Sequence, residues 1–357
     1  MTIFDHPEFA GHERVVYCSD EPRGLRAIIA IHDRTLGPAV GGCRLYPYPS
    51  EDAALADVLR LSKGMTYKNA LAGLPFGGGK SVIIADPSAK TPALLRAFAE
   101  AVDRLRGEYW TGEDVNIGTA DVESMAKHTR YMMGRASGAV HSGDPSPFTA
   151  AGCFAGMQAA LQYVFGVDEF TGRRVAIQGL GNVGFSLARL VADAGGKLVV
   201  TDVRSDLCER ANRELGASIA APDAIFDESC DVFAPCAMGG LLDQDVVKRL
   251  RARIVCGAAN NQLATPEIGH QLVERGITYA PDYVVNAGGM LNASGDFFGQ
   301  YDGDEVWRRV RAIRGTTERV LEMAGREHRP PHEIADAMAQ SVIEEYRRRG
   351  TDARAAD

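Results

Sequence analysis

Positive charge is scarce in this 357-residue chain: 39 lysines and arginines stand against 47 acidic residues, a formal net charge of −8. Nucleic-acid binding needs a basic face, so that class is disfavoured. The seven cysteines, Cys18, Cys43, Cys153, Cys208, Cys230, Cys236 and Cys256, are odd in number and form no CxxC pair. That argues against both a disulfide framework and a zinc site. The eight histidines lack HExxH spacing, so no metal is expected. No apolar run approaches the ~20 residues of a membrane span. The mixed, polar opening MTIFDHPEFAGHE does not read as a signal peptide. A reduced, cytoplasmic compartment is expected, without membrane or nucleic-acid partners. Hydrophobic content of 45% with 24% charged residues is ordinary for a globular protein. The length predicts two domains.

What is present centres on residues 64–80, GMTYKNALAGLPFGGGK, where Lys68 and Lys80 are twelve positions apart among glycine, alanine and apolar residues. Three glycines directly before Lys80 read as a loop that lets backbone approach a ligand. Burial and a like charge nearby both disfavour a charged lysine, which is how a lysine becomes a base near neutral pH. The bland alternative is that both are solvated surface charges, as most lysines are.

Along the chain, residues 14–17 and 25–31 read as strands around a turn at Glu21 to Gly24, and 32–44 as a glycine-rich loop. Residues 51–63 predict an amphipathic helix capped by Ser50. A strand is expected over 81–85, a helix over about 92–105, a linker over 137–147 and a small-residue helix over 150–164. Then RVAIQ, a buried strand at 174–178, runs straight into Gly179-Leu180-Gly181-Asn182-Val183-Gly184, a helical stretch, and a second strand ending at Asp202. This is the dinucleotide-binding fingerprint in its required context. Asp202 lies 23 positions beyond Gly179, placed to bind a ribose 2′-hydroxyl and repel a 2′-phosphate, which favours NAD over NADP, although Arg204 blurs this. Apolar strands are expected over 231–236, 253–260 and 277–289, with Ala237, Asn260, Asn261, Asn286 and Gly288 at their carboxyl ends. From Asp304 to about Arg349 the chain reads as helical, and 350–357 as frayed.

Taken in order, GGCR (41–44), GMTYKNA (64–70), GLPFGGGKSVI (73–83), TGEDVN (111–116), GLGNVG (179–184), FAPCAMGG (233–240), GAANNQL (257–263) and NAGG (286–289) resemble the leucine, valine, phenylalanine and tryptophan dehydrogenases. These form the apolar branch of the amino-acid dehydrogenase superfamily that includes glutamate dehydrogenase. The resemblance spans about residues 12–345. It implies an α/β protein with an N-terminal substrate-binding and catalytic domain, residues 1–145, and a Rossmann-type NAD-binding domain, residues 146–325. Helices of about 325–357 would pack back on the first domain. A homo-oligomer is implied.

The resemblance also implies residue roles. Lys80 is the catalytic lysine and Asp114 the second acid/base group. Lys68 grips the substrate carboxylate, helped by Gly41, Gly42 and Asn261. Thr149 holds the nicotinamide carboxamide, with Arg44 and Ser146 also on the cofactor. Further cofactor contacts fall to Gly179, Gly181, Asn182, Val183 and Gly184, then to Asp202, Val203 and Arg204. Cys236, Ala237, Ala258, Ala259, Asn260, Asn261 and Asn286 complete that set. Val40 stands where glutamate-specific relatives place a lysine, which argues against an acidic substrate. With Gly112, Met290 and Ala293 it would form the side-chain pocket. Three of these four are smaller than in leucine-type relatives, which implies room for phenylalanine, with leucine, valine or tryptophan as alternatives. The expected activity is NAD-dependent reversible oxidative deamination of an apolar L-amino acid to the 2-oxo acid and ammonia. A non-catalytic NAD-binding regulator would not need Lys68, Lys80 and Asp114 together. A 2-hydroxy-acid dehydrogenase would want a histidine–carboxylate pair instead.

Overall fold

A computed structural model describes residues 2–137 and 142–355, which fall into two compact units. The first comprises Met1–Asp144, Ala293–Asp302 and Ala339–Asp357; the second, Pro145–Asn292 and Gly303–Met338.

In the first unit, strands β1 (Arg14–Asp20) and β2 (Leu25–Asp33) pair antiparallel across the expected turn, each running past the strands predicted over 14–17 and 25–31. The loop expected over 32–44 is partly strand: β3 is Ala39–Val40 and β4 is Cys43–Tyr46. The glycine triplet is not a loop either. It opens β5 (Gly77–Ile84), which lies inside the sheet order β1-β2-β5-β3-β6, with β6 at Tyr109–Trp110 and β4 also on β5. Helix α1 (Glu51–Leu71) continues past the predicted end at residue 63, through Gly64 and on beyond Lys68. Its start is capped as expected: Ser50 Oγ accepts from the Ala53 N–H at 3.0 Å. The glycines explain the close fit of α1 and β5. A methyl group on Gly78 would land on the Thr66 amide of α1, and one on Gly79 would sit 2.7 Å from the Tyr109 ring.

Helices cover both faces of this sheet. On one, Leu55, Val58 and Leu59 of α1 pack on Ile28, Ala30 and Val82. On the other, α2 (Pro92–Asp103) and α3 (Thr119–Met125) bring Leu94, Phe98, Val102, Val122 and Met125 against Ile29, Ile31, Leu45 and Ile83. The period-2 alternation of strand side chains puts odd and even residues of β5 on opposite faces. Residues 293–302, expected in the cofactor domain, group with this first unit. Phe297 packs on Phe76 and Trp110, each ring pair 4.8 Å apart, and Asp296 accepts from the Gly134 and Arg135 N–H groups. The C-terminal return begins at Ala339 rather than near 325, with Gln340 donating to the Tyr67 hydroxyl at 2.9 Å.

The second unit starts with helix α4 (Ser146–Phe165); residues 138–141 of the predicted linker lie outside the described residues. Six parallel strands follow: β7 (Arg174–Gln178), β8 (Lys197–Thr201), β9 (Ser218–Ile219), β10 (Val232–Pro235), β11 (Ile254–Val255) and β12 (Thr278–Tyr279). Their spatial order is β12-β11-β10-β7-β8-β9, so the order reverses between β7 and β10. This is the doubly wound dinucleotide-binding arrangement, whose ligand crevice lies at that reversal. One face is covered by α4 with α5 (Asn182–Asp193), which bring Met157, Leu161, Leu187 and Val191 onto Val175, Ile177 and Val200. The connections from β8 onward carry α6 (Ser205–Leu215), α7 (Gln244–Arg249) and α8 (Glu267–Glu274).

The strand predicted over 277–289 stops at Tyr279. After Pro281 the chain turns helical as α9 (Asp282–Val285) and α10 (Gly288–Phe298). The C-terminal part is α11 (Gly303–Glu327) and α12 (Pro331–Ala355), so the end expected to fray is helical to residue 355 and the last two residues lie outside the described ones. No helix among the described residues is long and apolar enough to cross a membrane.

Candidate active site

Strand pairing along one edge of β5 builds a cluster of candidate residues in the first unit. β3 pairs with Gly77 and Gly78, and β4 pairs with Ser81 to Ile84. Gly41 and Gly42 bridge the gap, alongside Gly79 and Lys80. There is no room for side chains there: a methyl on Gly41 would strike the Gly79 carbonyl, and one on Gly42 the Glu113 carbonyl. Lys80 shares the parity of Val82, so it points to the α1 face. Lys68 stands on α1, which packs on that face. Neither lysine is a solvated surface charge: Lys80 is 4% exposed and Lys68 8%.

Asp114 follows β6 in a tight turn closed by the Ile117 N–H to Asp114 C=O bond at 2.9 Å, with Asn116 in the left-handed region at φ 60°. Lys80 Nζ lies 3.0 Å from Asp114 Oδ2, and Arg44 Nε donates to the same oxygen at 3.1 Å. Burial pushes the Asp114 carboxyl up, but Lys80 and Arg44 outweigh it and hold the pKa at about 2, against an ordinary 3.8. Asp114 therefore rests as an anion at neutral pH. Val40 is buried in β3, in register with Gly78 and Trp110, and the Cys43 N–H donates to the Gly112 carbonyl at 2.9 Å.

Arg44 falls in the first unit, on β4. Two of its nitrogens are committed there, Nε to Asp114 and Nη1 to Asp57 Oδ2 at 2.9 Å. Sequence reasoning misses Asp57. The available signal is its spacing: eleven residues before Lys68 is three helical turns, so both share one face of α1.

The second unit carries its own cluster at the β7–α5 turn. Gly179 has φ 97°, a conformation that favours glycine, and a methyl there would lie 2.8 Å from the Ala237 Cβ. The loop thus closes on the end of β10, where the Cys236 N–H donates to Gln178 C=O at 2.7 Å. Gly184 abuts the Gly179 carbonyl, while nothing lies within 4 Å of a methyl placed on Gly181. Helix α5 begins at Asn182 and Val183 with no side-chain cap, so its first N–H groups are available to phosphate. Asp202 Oδ2 accepts from the Leu180 N–H at 2.6 Å and Oδ1 from the Arg204 N–H at 2.9 Å, fixing the loop to the end of β8. Val203 is 92% exposed.

Across the sheet, the Asn286 amide donates to Ala258 C=O at 3.1 Å and to Asn260 Oδ1 at 2.9 Å. Its own Oδ1 is buried without a partner, as is Gln178 Oε1. Ala259 N–H bonds Pro235 C=O at 3.0 Å. Asn261 adopts φ 52°, held by its N–H on Asp282 Oδ2 at 2.8 Å and its carbonyl on the Gly240 N–H. Thr149 Oγ1 donates to Pro145 C=O at 3.0 Å in the first turn of α4, beside the buried Ser146. Met290 and Ala293, three apart on α10, are both half-buried. An open glycine turn, free helix N–H groups, a carboxylate at the end of β8 and an orphaned amide oxygen fit a nicotinamide dinucleotide.

Residues 12–137 match the family model described as Glu/Leu/Phe/Val dehydrogenase, dimerisation domain, and residues 142–215 and 201–350 match that of Glutamate/Leucine/Phenylalanine/Valine dehydrogenase. The chain belongs to this family of amino-acid dehydrogenases. It is 45% identical over 349 residues to leucine dehydrogenase of Bacillus subtilis, covering 98% of this chain and 96% of the relative. It is 42% identical over 357 residues to L-tryptophan dehydrogenase of Nostoc punctiforme, covering all of both. A crystal structure of the Nostoc punctiforme tryptophan dehydrogenase superposes with a TM-score of 0.78 at 41% identity, covering 94% of this chain and 97% of that one. An amino-acid dehydrogenase of this family uses a nicotinamide dinucleotide, and the residues above are the ones available to hold it.

Proposed function

We propose that this enzyme oxidatively deaminates an apolar L-amino acid, of phenylalanine or leucine type, with NAD as oxidant, and runs reversibly. The observation that carries the reading is the buried Lys80–Asp114 pair beside the Gly41–Gly42 gap. Lys68, with the Gly41–Gly42 backbone and Asn261, binds the α-carboxylate. Anionic Asp114 takes one proton from the substrate ammonium, and the resulting amine becomes the iminium as hydride leaves Cα. A bound nicotinamide supplies the acceptor for the hydride leaving Cα. Lys80 removes a proton from the water that adds to the iminium carbon. Asp114 returns its proton to the carbinolamine nitrogen, and C–N cleavage, with the hydroxyl proton passing to the departing ammonia, releases ammonium and the 2-oxo acid. Overall, amino acid, NAD⁺ and water become 2-oxo acid, ammonium, NADH and one proton.

Asp202 supports NAD over NADP, because a fixed carboxylate repels a 2′-phosphate. Val40 and Gly112, with Met290 and Ala293, are assigned to the substrate side chain, and Val40 offers an acidic side chain no partner. Tryptophan is the second reading, favoured by the full-length match to a tryptophan dehydrogenase. One methylene changes binding in such a site by only about 1–3 kcal/mol, so specificities overlap. A homo-oligomer is supported by the dimerisation-domain match, and a reducing cytoplasm by seven free thiols. The test is dinucleotide reduction by the purified protein with leucine, valine, phenylalanine and tryptophan, under NAD⁺ and NADP⁺. Turnover with phenylalanine or leucine and NAD⁺ is expected. No reduction with any amino acid overturns the reading.

A further inference from the structure

Five side chains form one connected row across the α1 face of the first unit. Tyr48 Oη donates to Asp57 Oδ2 at 2.5 Å, and Arg44 Nη1 donates to the same oxygen at 2.9 Å. Arg44 Nε donates to Asp114 Oδ2 at 3.1 Å, and Lys80 Nζ reaches that oxygen at 3.0 Å. Charges alternate along the row. The planar guanidinium holds its Nε–H and Nη1–H bonds in fixed relation, so seating Nη1 on Asp57 also aims Nε at Asp114. Arg44 is itself well enclosed, its side chain 13% exposed.

On the proposed mechanism Lys80 must already be neutral when Asp114 meets the substrate ammonium. At that moment its attraction for Asp114 is gone, and burial alone would drive the carboxyl toward protonation. Arg44 does not titrate in this range. We propose that Arg44, seated by Asp57 and Tyr48, is a positioning residue that holds Asp114 in place and ionised at the start of each turnover, ready to take the nitrogen's proton. This rests on the deamination reading above. The other groups near Asp114 do not substitute. Cys43 and Tyr109 are pushed up by burial and stay neutral, and so is Tyr48, by burial and by Asp57. Lys68, on α1, is committed to the substrate carboxylate in the same reading.

The test compares wild type with Arg44→Met, Arg44→Lys and Asp57→Asn, each checked for folding by circular dichroism. In Arg44→Met, kcat should fall about tenfold or more while KM for NAD⁺ stays within about twofold. The acid limb of kcat/KM should move up by about one pH unit or more, the effect of losing an adjacent arginine. Arg44→Lys, or millimolar guanidinium added to Arg44→Met, should restore part of kcat. Asp57→Asn, which leaves the Arg44–Asp114 contact possible, should shift the limb in the same direction by less. It also decides the matter if Arg44→Met does not fold. A raised KM for NAD⁺ with the acid limb unmoved overturns the proposal, and so does an unchanged profile in Asp57→Asn. Wild type that reduces no dinucleotide with any amino acid defeats the deamination reading itself; active wild type with unaltered variants defeats only the role of Arg44.

Discussion

Replacing Asp114 by asparagine tests the centre of the site through stability as well as rate. Two cations sit 3.0 and 3.1 Å from its Oδ2. At an effective dielectric near ~20, each contact is worth about 5 kcal/mol before desolvation. Burial cancels most of that, and the net is a carboxyl brought from 3.8 to about 2. At about 1.36 kcal/mol per unit, the folded state prefers the anion by roughly 2–3 kcal/mol more than the unfolded state does. Since the folded pKa is the lower one, this stability is complete above the unfolded value and is lost as pH falls toward 2. The substituted amide would carry no charge and would leave two buried cations facing each other. Asp114→Asn should therefore cost on the order of 2–4 kcal/mol at pH 7. The gap to wild type should close between about pH 4 and pH 2, whatever other carboxylates titrate in both proteins. Urea unfolding of the first unit can be read separately, because Trp110 is its tryptophan and Trp307 lies in the second unit. In a Trp307→Phe background, fluorescence follows Trp110. Turnover should drop about a hundredfold or more. A variant as stable as wild type at pH 7, or a gap that persists unchanged to pH 2, would show that the ion pairs do not hold this carboxylate.

Three further outcomes are expected. Gly78→Ala should destabilise the first unit by about 1–3 kcal/mol and cut turnover at least tenfold, because the methyl meets the Thr66 amide and α1 must move off β5; a fully active, equally stable variant would contradict this packing. Asp202→Ser should raise the NADP⁺ to NAD⁺ ratio of kcat/KM about tenfold or more, with some loss in the NAD⁺ rate as the Leu180 N–H loses its acceptor; an unchanged ratio would remove Asp202 from cofactor choice. His32 bonds Thr66 Oγ1 at 2.8 Å, and burial first, then His12, holds its pKa down at about 4 against an ordinary 6.5. Its depressed pKa means stability is full above 6.5 and is lost as pH falls toward 4, so in denaturant titrations His32→Gln should lose less stability over that window than wild type.

What the sequence makes legible here follows from how local each signal is. The β7 strand, the glycine turn, the helix after it and Asp202 all lie within thirty residues, and each carries its own chemistry, so the dinucleotide unit reads almost directly. Lys80 and Asp114 are 34 positions apart, and only motif resemblance joins them before the structure puts them 3.0 Å apart. The glycine triplet misleads because glycine carries no side chain to alternate; nothing in Gly77-Gly78-Gly79 distinguishes a strand from a loop until α1 is packed against it. The same packing hides the length of α1. Gly64 costs about 1 kcal/mol in a helix interior, yet the chain continues, since stopping there would pull Thr66 off Gly78 of β5 and Met65 off Gly41. In the other direction, Val284 and Val285 read as strand by β-branching but are helical, because Asp282 must accept from the Asn261 N–H and Tyr279 Oη in the turn after Pro281. In each case a tertiary contact overrides a local preference at a residue beside the proposed chemistry. These are also the positions where a substitution that suits the local propensity better should damage turnover more than stability.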